Sequence, residues 1–290
     1  MKTYGFVGLG LMGGSLAKAI KNCAIAAAPF TKGTIKLFAC DKDSETLQLA
    51  KQDGVIDTAF APENVQEMLA VCDVVIISLY PKQTLTFLVE NQAYFKSGAI
   101  ITDIAGTKTA LIEGLFQFTR KDIDFIPGHP MAGSEKEGYL HSSSEIFKGR
   151  NYIIIPTENS LPENIEFLKN LAYAIGFKNV IESNAKNHDH KIAFTSQLCH
   201  IIASALVDSS EDTRITEFGG GSYEDLTRIA MINAPLWTEL FFENKDELLF
   251  HIEQFEKSIN RFKTILETDN SASMKESLER VREKRIAMRK

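Results

Sequence analysis

Two short stretches hold residues whose types and spacing do chemistry. Gly8-Leu9-Gly10-Leu11-Met12-Gly13 spaces its glycines as G-x-G-x-x-G, directly after the apolar run from Tyr4 and directly before a helical pattern from Gly13 to Ile20. In that setting each glycine has its own task. Gly8 permits the tight turn, Gly10 lets backbone approach a pyrophosphate, and Gly13 lets the helix pack close to the strand. The free amides at the helix start, those of Leu11 and Met12 among them, and the positive helix end would hold the anion. Asp41 ends the second strand, where a carboxylate accepts from ribose hydroxyls and repels a 2′-phosphate, so NAD is expected over NADP. It lies 28 residues beyond Gly13 instead of the usual roughly 20. The segment 22–34, with Pro29 and Gly33, reads as an inserted loop that explains the excess. The competing readings are a glycine-rich turn without a ligand and an Asp41 that serves a surface turn.

The second stretch is Gly128-His129-Pro130-Met131-Ala132-Gly133-Ser134-Glu135, read as a loop after a strand. Gly128 and Pro130 fix the backbone around an imidazole that titrates near neutrality and suits proton transfer. Further along, Arg228 sits in Asp225-Leu226-Thr227-Arg228, with Asp225 placed to orient it. Its guanidinium can grip a carboxylate through two parallel bonds. Between 188 and 204, a period of 3.6 puts Asp189, Ala193, Ser196 and His200 on one small, polar face and Ile192, Cys199, Ile202, Ala203 and Leu206 on an apolar one. The polar face suits a cleft wall, while a hydrogen-bonded core histidine is the plain alternative for His200. His188 and His190 point apart on a helix, so no metal site is expected. Trp237, the one tryptophan, follows Pro235 at a helix restart and is a pocket residue or a core aromatic.

The elements that must position these residues follow from pattern. Strands are expected at Tyr4–Gly8, Thr34–Cys40, Asp73–Leu79, Ala99–Asp103 and Asp124–Pro127. Alternating with helices, they make a parallel, helix-covered sheet. Tyr152–Ile155 and Val180–Glu182 are expected to extend it. From about Asn184 the pattern is helical, with long runs at 186–209 and 235–267 and three glycines, 219–221, between them. The expected domains are a Rossmann-like unit, 1–183, and an all-α unit, 184–290. The chain of 290 residues carries a net charge of −6, with 44% hydrophobic and 24% charged residues. That balance is globular, and the acidic surface argues against nucleic acid as the partner. No apolar run reaches the roughly 20 residues of a membrane span. Cys23, Cys40, Cys72 and Cys199 share no paired spacing, which fits free thiols in a reducing cytoplasm. Residues 271–290 hold seven Lys or Arg against three Glu, a pattern read as a solvated terminal helix.

The glycine turn, the 128–135 stretch, His188-Asp189-His190 with the helix to His200, and Asp225 to Trp237 occur in this order. Together they resemble the prephenate dehydrogenase family of tyrosine biosynthesis from residue 5 to about 245. The resemblance implies a homodimer joined through the helical domain, with the substrate between the domains. It implies NAD-dependent oxidation of prephenate, or of arogenate, with loss of carbon dioxide and without a metal. It makes His129 the catalytic base and Arg228 the substrate arginine, puts His188, Asp189, Ser196 and His200 in or near the pocket with Gln197 among them, and puts Trp237 at the pocket or the subunit interface. Gly106 stands where the family pattern has a serine near the histidine and the nicotinamide, leaving open whether Thr107 or a water replaces that hydroxyl. Gln197 stands at a frequent histidine and Glu224 at a frequent basic residue. Two other readings remain. One is a β-hydroxyacid-type dehydrogenase, although the lysine segment of that group is missing. The other is a catalytically silent NAD-binding protein.

Overall fold

The structure is a computed structural model that describes residues 2–26 and 35–288. The first half runs β1 (Thr3–Val7), α1 (Leu11–Ala26), β2 (Lys36–Cys40), α2 (Ser44–Gln52), β3 (Thr58–Phe60), α3 (Val65–Leu69), β4 (Val74–Ile77), α4 (Pro81–Asn91), β5 (Ile100–Asp103), α5 (Thr109–Gly114) and β6 (Asp124–Phe125). It continues through β7 (Gly128–Pro130), β8 (Asn151–Ile154), α6 (Pro162–Ala174) and β9 (Asn179–Glu182). Helices follow: α7 (Ala185–Ile192), a π-helical turn (Ala193–Gln197), α8 (Leu198–Asp208), α9 (Gly221–Thr227), α10 (Ala234–Glu243), α11 (Lys245–Glu267) and α12 (Ser271–Ala287). No helix among the described residues is long and apolar enough to cross a membrane. Of the expected loop at 22–34, the residues to Ala26 continue α1, and 27–34 lie outside the described residues.

The main sheet is parallel, ordered β3-β2-β1-β4-β5-β6. The order reverses between β1 and β4, and ligands of open α/β sheets bind beyond the strand ends at such a point. Strand β4 is Val-Val-Ile-Ile and buried throughout, as a sheet covered on both faces requires. One face packs Phe6, Leu16, Ile20, Leu37 and Ile76; the other packs Val75, Ile77, Met68, Leu88 and Ile101.

The expected extension of this sheet by β8 and β9 does not occur. They form a second sheet, ordered β7-β8-β9, with β7 antiparallel to β8. Strand β6 is only two residues long, and its Asp124 carboxylate accepts the Leu161 amide at 2.8 Å and the Asn164 side chain at 3.0 Å, so the approach to α6 covers that edge. The chain turns at Pro127 and offers β8 a fresh edge instead. His129, expected in a loop, therefore lies in a strand, opposite Ile153.

The long helical run at 186–209 is interrupted by the π-helical turn, which shifts the phase of everything after it. Along the expected apolar face burial is divided, within α8 as well as across the turn. Ile192 and Ala203 are buried, while Cys199 and Leu206 are exposed. The run at 235–267 is broken at Asn244, whose buried amide donates to Asp189 O and Gln197 Oε1, each at 2.9 Å. All four cysteines are free.

Candidate active site

The glycine turn lies at the reversal of strand order. Gly8 has a φ of 90°, and a Cβ there would sit 2.7 Å from Ser78 O. A Cβ on Gly13 would meet Gly8 O at 2.1 Å, so only glycine lets α1 begin this close to β1. Gly10 has nothing within 4 Å of its missing Cβ. The first turn of α1, with Leu11 and Met12, contains no acidic residue. Open space over bare backbone and an uncompensated helix start form an anion cradle. The Asp41 carboxylate is tied into it, accepting the Leu9 amide at 2.6 Å and the Asp43 amide at 2.9 Å. Its remaining lone pairs can take ribose hydroxyls. Beside Gly13, the buried Ser78 Oγ has no hydrogen-bond partner. These residues fit a dinucleotide, with the pyrophosphate over Gly10 and the ribose at Asp41.

His129 is half-buried on β7. Its Nδ1 lies 2.8 Å from His188 Nε2, and His188 Nδ1 lies 2.6 Å from Asp189 Oδ1. The two histidines pack edge to face with ring centroids 5.1 Å apart. The Asp189 carboxylate accepts the amides of Lys108 at 3.0 Å and Thr109 at 2.7 Å, capping α5. Burial raises the Asp189 carboxyl, but hydrogen bonds from His188 and Thr109 outweigh it and leave the group below its ordinary value. Burial, reinforced by the nearby Lys108 ammonium, holds the His129 ring well below the ordinary imidazole range. Beneath this chain, Lys108 Nζ meets Asp103 Oδ2 at 2.6 Å with both side chains fully buried. Burial lowers the Lys108 ammonium, and Asp103 offsets part of the shift. Asp103 also accepts the amides of Ala105 at 2.8 Å and, more weakly, Gly128 at 3.4 Å, joining β5 to the strand of His129.

Gly106 faces the helical half, where a Cβ would lie 3.0 Å from Leu240 Cδ2. The Thr107 hydroxyl donates to Glu243 Oε2 at 2.6 Å, so Thr107 does not supply the hydroxyl missing at 106.

Arg228 lies in the turn after α9, and its Nη1 pairs with Glu135 Oε2 at 3.3 Å. The Asp225 carboxylate is exposed and takes no part; Glu135, from the same stretch as His129, orients the guanidinium instead. His200 Nδ1 is 2.8 Å from Ile229 O, next to Arg228 in sequence, and its ring packs on Trp237 with centroids 3.6 Å apart. Burial and the nearby Arg228 charge lower His200, against the hydrogen bond to Ile229. Trp237 is half-buried and reaches Phe241 as well. Ser196 is half-buried within the π-helical turn. Gln197 is not a cleft residue. It is 1% exposed, donating to Leu240 O at 2.9 Å and accepting from Asn244, which braces α8 against α10 and α11. His190 turns away from His188, with Nδ1 at 2.6 Å from Glu247 Oε2, while His251 Nε2 bonds His190 O at 3.1 Å. Those three side chains lie close enough to hold a metal ion, and His190 Nδ1, Glu247 Oε2 and His251 Nε2 are engaged in hydrogen bonds.

Sequence reading placed His188 and Asp189 near the pocket but missed their link to His129, and it missed Glu135 and the Asp103–Lys108 pair. Adjacent His and Asp at a helix start, and an Asp and a Lys flanking one βα loop, were the signals available.

Residues 27–181 match the prephenate dehydrogenase nucleotide-binding domain family, and residues 184–280 match the prephenate dehydrogenase dimerization domain family. The glycine turn precedes the first match, so its assignment rests on its own geometry. A prephenate dehydrogenase of Lactococcus lactis is 30% identical over 99% of this chain and 78% of its own length. A cyclohexadienyl dehydrogenase of Zymomonas mobilis is 26% identical over 99% of this chain and 96% of its own. The prephenate dehydrogenase of Aquifex aeolicus, solved with hydroxyphenyl propionate and NAD+, superposes with a TM-score of 0.86 at 28% identity, covering 99% of this chain and 98% of that one. With the dinucleotide cradle built as described, the chain belongs to the prephenate dehydrogenase family and is an NAD-dependent oxidoreductase.

Proposed function

We propose that the chain oxidises prephenate to 4-hydroxyphenylpyruvate, with His129 as the base and Arg228 as the carboxylate anchor. The observation that carries this reading is the engagement of His129 Nδ1 by His188 at 2.8 Å, which leaves Nε2 as the ring nitrogen to meet a substrate proton. The bound nicotinamide supplies the hydride acceptor. As hydride leaves the ring carbinol carbon, the hydroxyl proton passes to His129 Nε2 and the carbonyl forms. Aromatisation then drives loss of the ring carboxylate, a step that needs no electron-sink group from the protein. Leu240 of α10 packs against Gly106 in the loop after β5.

Arg228 is 58% exposed and its pair with Glu135 is a solvent-screened one, so a substrate carboxylate can replace Glu135 at little cost. His200 donates from Nδ1 to Ile229 O and so keeps Nε2 for a second polar contact. Arg228→Gln is expected to raise KM for substrate about 10–100-fold, the worth of charged hydrogen bonds, with KM for NAD held. An unchanged substrate KM would place the carboxylate elsewhere.

The test of the reading follows nicotinamide absorbance with prephenate and with arogenate, each with NAD and NADP. Turnover of prephenate with NAD supports it. Turnover of arogenate alone changes the substrate but keeps the chemistry, and no turnover with either overturns it.

We also propose a homodimer built through the helical half. Phe218 is 92% exposed, Phe242 71% and Leu266 66%, apolar surface that a monomer seldom leaves open. Light scattering should give twice the 32.3 kDa chain mass; the mass of a single chain would refute it.

A further inference from the structure

The bond between His129 and His188 can run in either direction, and only one direction leaves a base. If His129 Nδ1–H donates to a bare His188 Nε2, His129 Nε2 carries a lone pair. If His188 Nε2–H donates, the remaining hydrogen of a neutral His129 sits on Nε2 and the ring faces substrate as a donor. The choice is made on the far side of His188. Its Nδ1 lies 2.6 Å from Asp189 Oδ1, and the same carboxylate accepts the Lys108 and Thr109 amides. An ionised carboxylate only accepts, so His188 must present Nδ1–H to it. A neutral imidazole protonated there has a bare Nε2, which can only accept from His129.

We propose that Asp189, acting through His188, is a positioning residue that sets the tautomer of His129 and keeps its Nε2 free for the substrate proton. This rests on the reading of His129 as the base. The Gly106 position offers no side-chain hydroxyl, and Thr107 is committed to Glu243, so His188 is the group that orients the ring.

The step balances without a proton relay. The substrate O–H bond breaks, the proton forms a bond to His129 Nε2, and the imidazolium keeps its Nδ1–H bond to His188. Asp189 remains ionised and stabilises the new charge across the His188 ring. The ionisable groups packed here are Asp103 and Lys108 from β5 and its loop, Asp189 from α7, and Glu243 from α10. Asp103 and Lys108 neutralise each other and Glu243 is held by the Thr107 hydroxyl, so Asp189 is the carboxylate in contact with His188.

Asp189→Asn is the decisive variant. Its amide oxygen can still cap α5, but its N–H₂ would donate to His188 Nδ1 and reverse the chain. The expected result is a loss of about 10²–10⁴-fold in kcat, with KM for NAD unchanged. His188→Gln can accept from His129 Nδ1 without Asp189. In that background, Asp189→Asn should change kcat by no more than about twofold. A full second loss there would show that Asp189 acts by another route and would overturn the inference. Nitrogen-15 NMR of histidine-labelled protein reads the tautomer without any substrate, with the His129 signals identified by their loss in His129→Asn. The expected wild-type ring carries its hydrogen on Nδ1 and a bare Nε2, and Asp189→Asn exchanges them. A wild-type His129 with hydrogen on Nε2 overturns the inference even if no variant folds. The expected tautomer without turnover of either cyclohexadienyl substrate would overturn the proposed function and leave the positioning role standing.

Discussion

His129→Asn is expected to lower kcat by about 10²–10⁴-fold, the contribution of a general base, while NAD binds as before. Asparagine is close in size and can still bond His188, so β7 and its pairing with β8 should persist. What is lost is a nitrogen able to hold a proton. The pH profile of the unaltered protein adds a second check. A base works unprotonated, and His129 is held well below its ordinary 6.5 by burial and by the nearby Lys108 ammonium. The working form therefore survives as pH falls through 6.5, and the acidic limb of kcat/KM lies below that value. In His129→Asn this limb should disappear. Unchanged turnover in the variant would remove His129 from the reaction.

The largest effect on stability is expected from Lys108→Met. Lys108 and Asp103 are fully buried and 2.6 Å apart. Methionine fills similar volume but leaves the Asp103 carboxylate without its cation in an apolar interior. Removing one partner of such a pair costs about 3–5 kcal/mol, a large share of the roughly 5–15 kcal/mol that holds a domain folded. The urea midpoint measures this directly, and a loss below about 1 kcal/mol would show that the amides of Ala105 and Gly128 suffice for Asp103. Adding Asp103→Asn to Lys108→Met should recover part of the loss, because a neutral amide is cheaper to bury than an unpaired carboxylate.

The alternation of strands and helices and the glycine turn with Asp41 beside it were legible because each is local. Apolar runs mark strands, and Gly8 and Gly13 are demanded by backbone within a few residues. The pairing of β8 with β7 was not legible, because three- and four-residue strands advertise no partner and the choice depended on how the chain leaves β6 at Pro127. Strand β3 was missed because Thr-Ala-Phe is too short to show alternation. A uniform helical period does not reveal the π-helical turn at 193–197, and it does not say which part of an apolar face a single chain covers: within α8, Ala203 is buried while Cys199 and Leu206 are exposed. Asp225 was chosen to orient Arg228 for its closeness in sequence. The true partner, Glu135, comes from the other half of the molecule. Gln197 was read by position in a pattern, whereas only the fold shows that its amide is consumed by Leu240 and Asn244.

Asp189 belongs to the first helix after the sheet-bearing half, yet its carboxylate caps α5 inside that half, and Glu243 reaches Thr107 in the same loop. The imidazole proposed as the base and the carboxylate proposed to set its tautomer thus belong to separate parts of the chain. A nucleotide-binding half cut free of its helices would keep the cradle but hold an undirected histidine. With those roles, reactivity is a property of docking, and a chain whose halves came apart would stop consuming substrate before it let go of its dinucleotide.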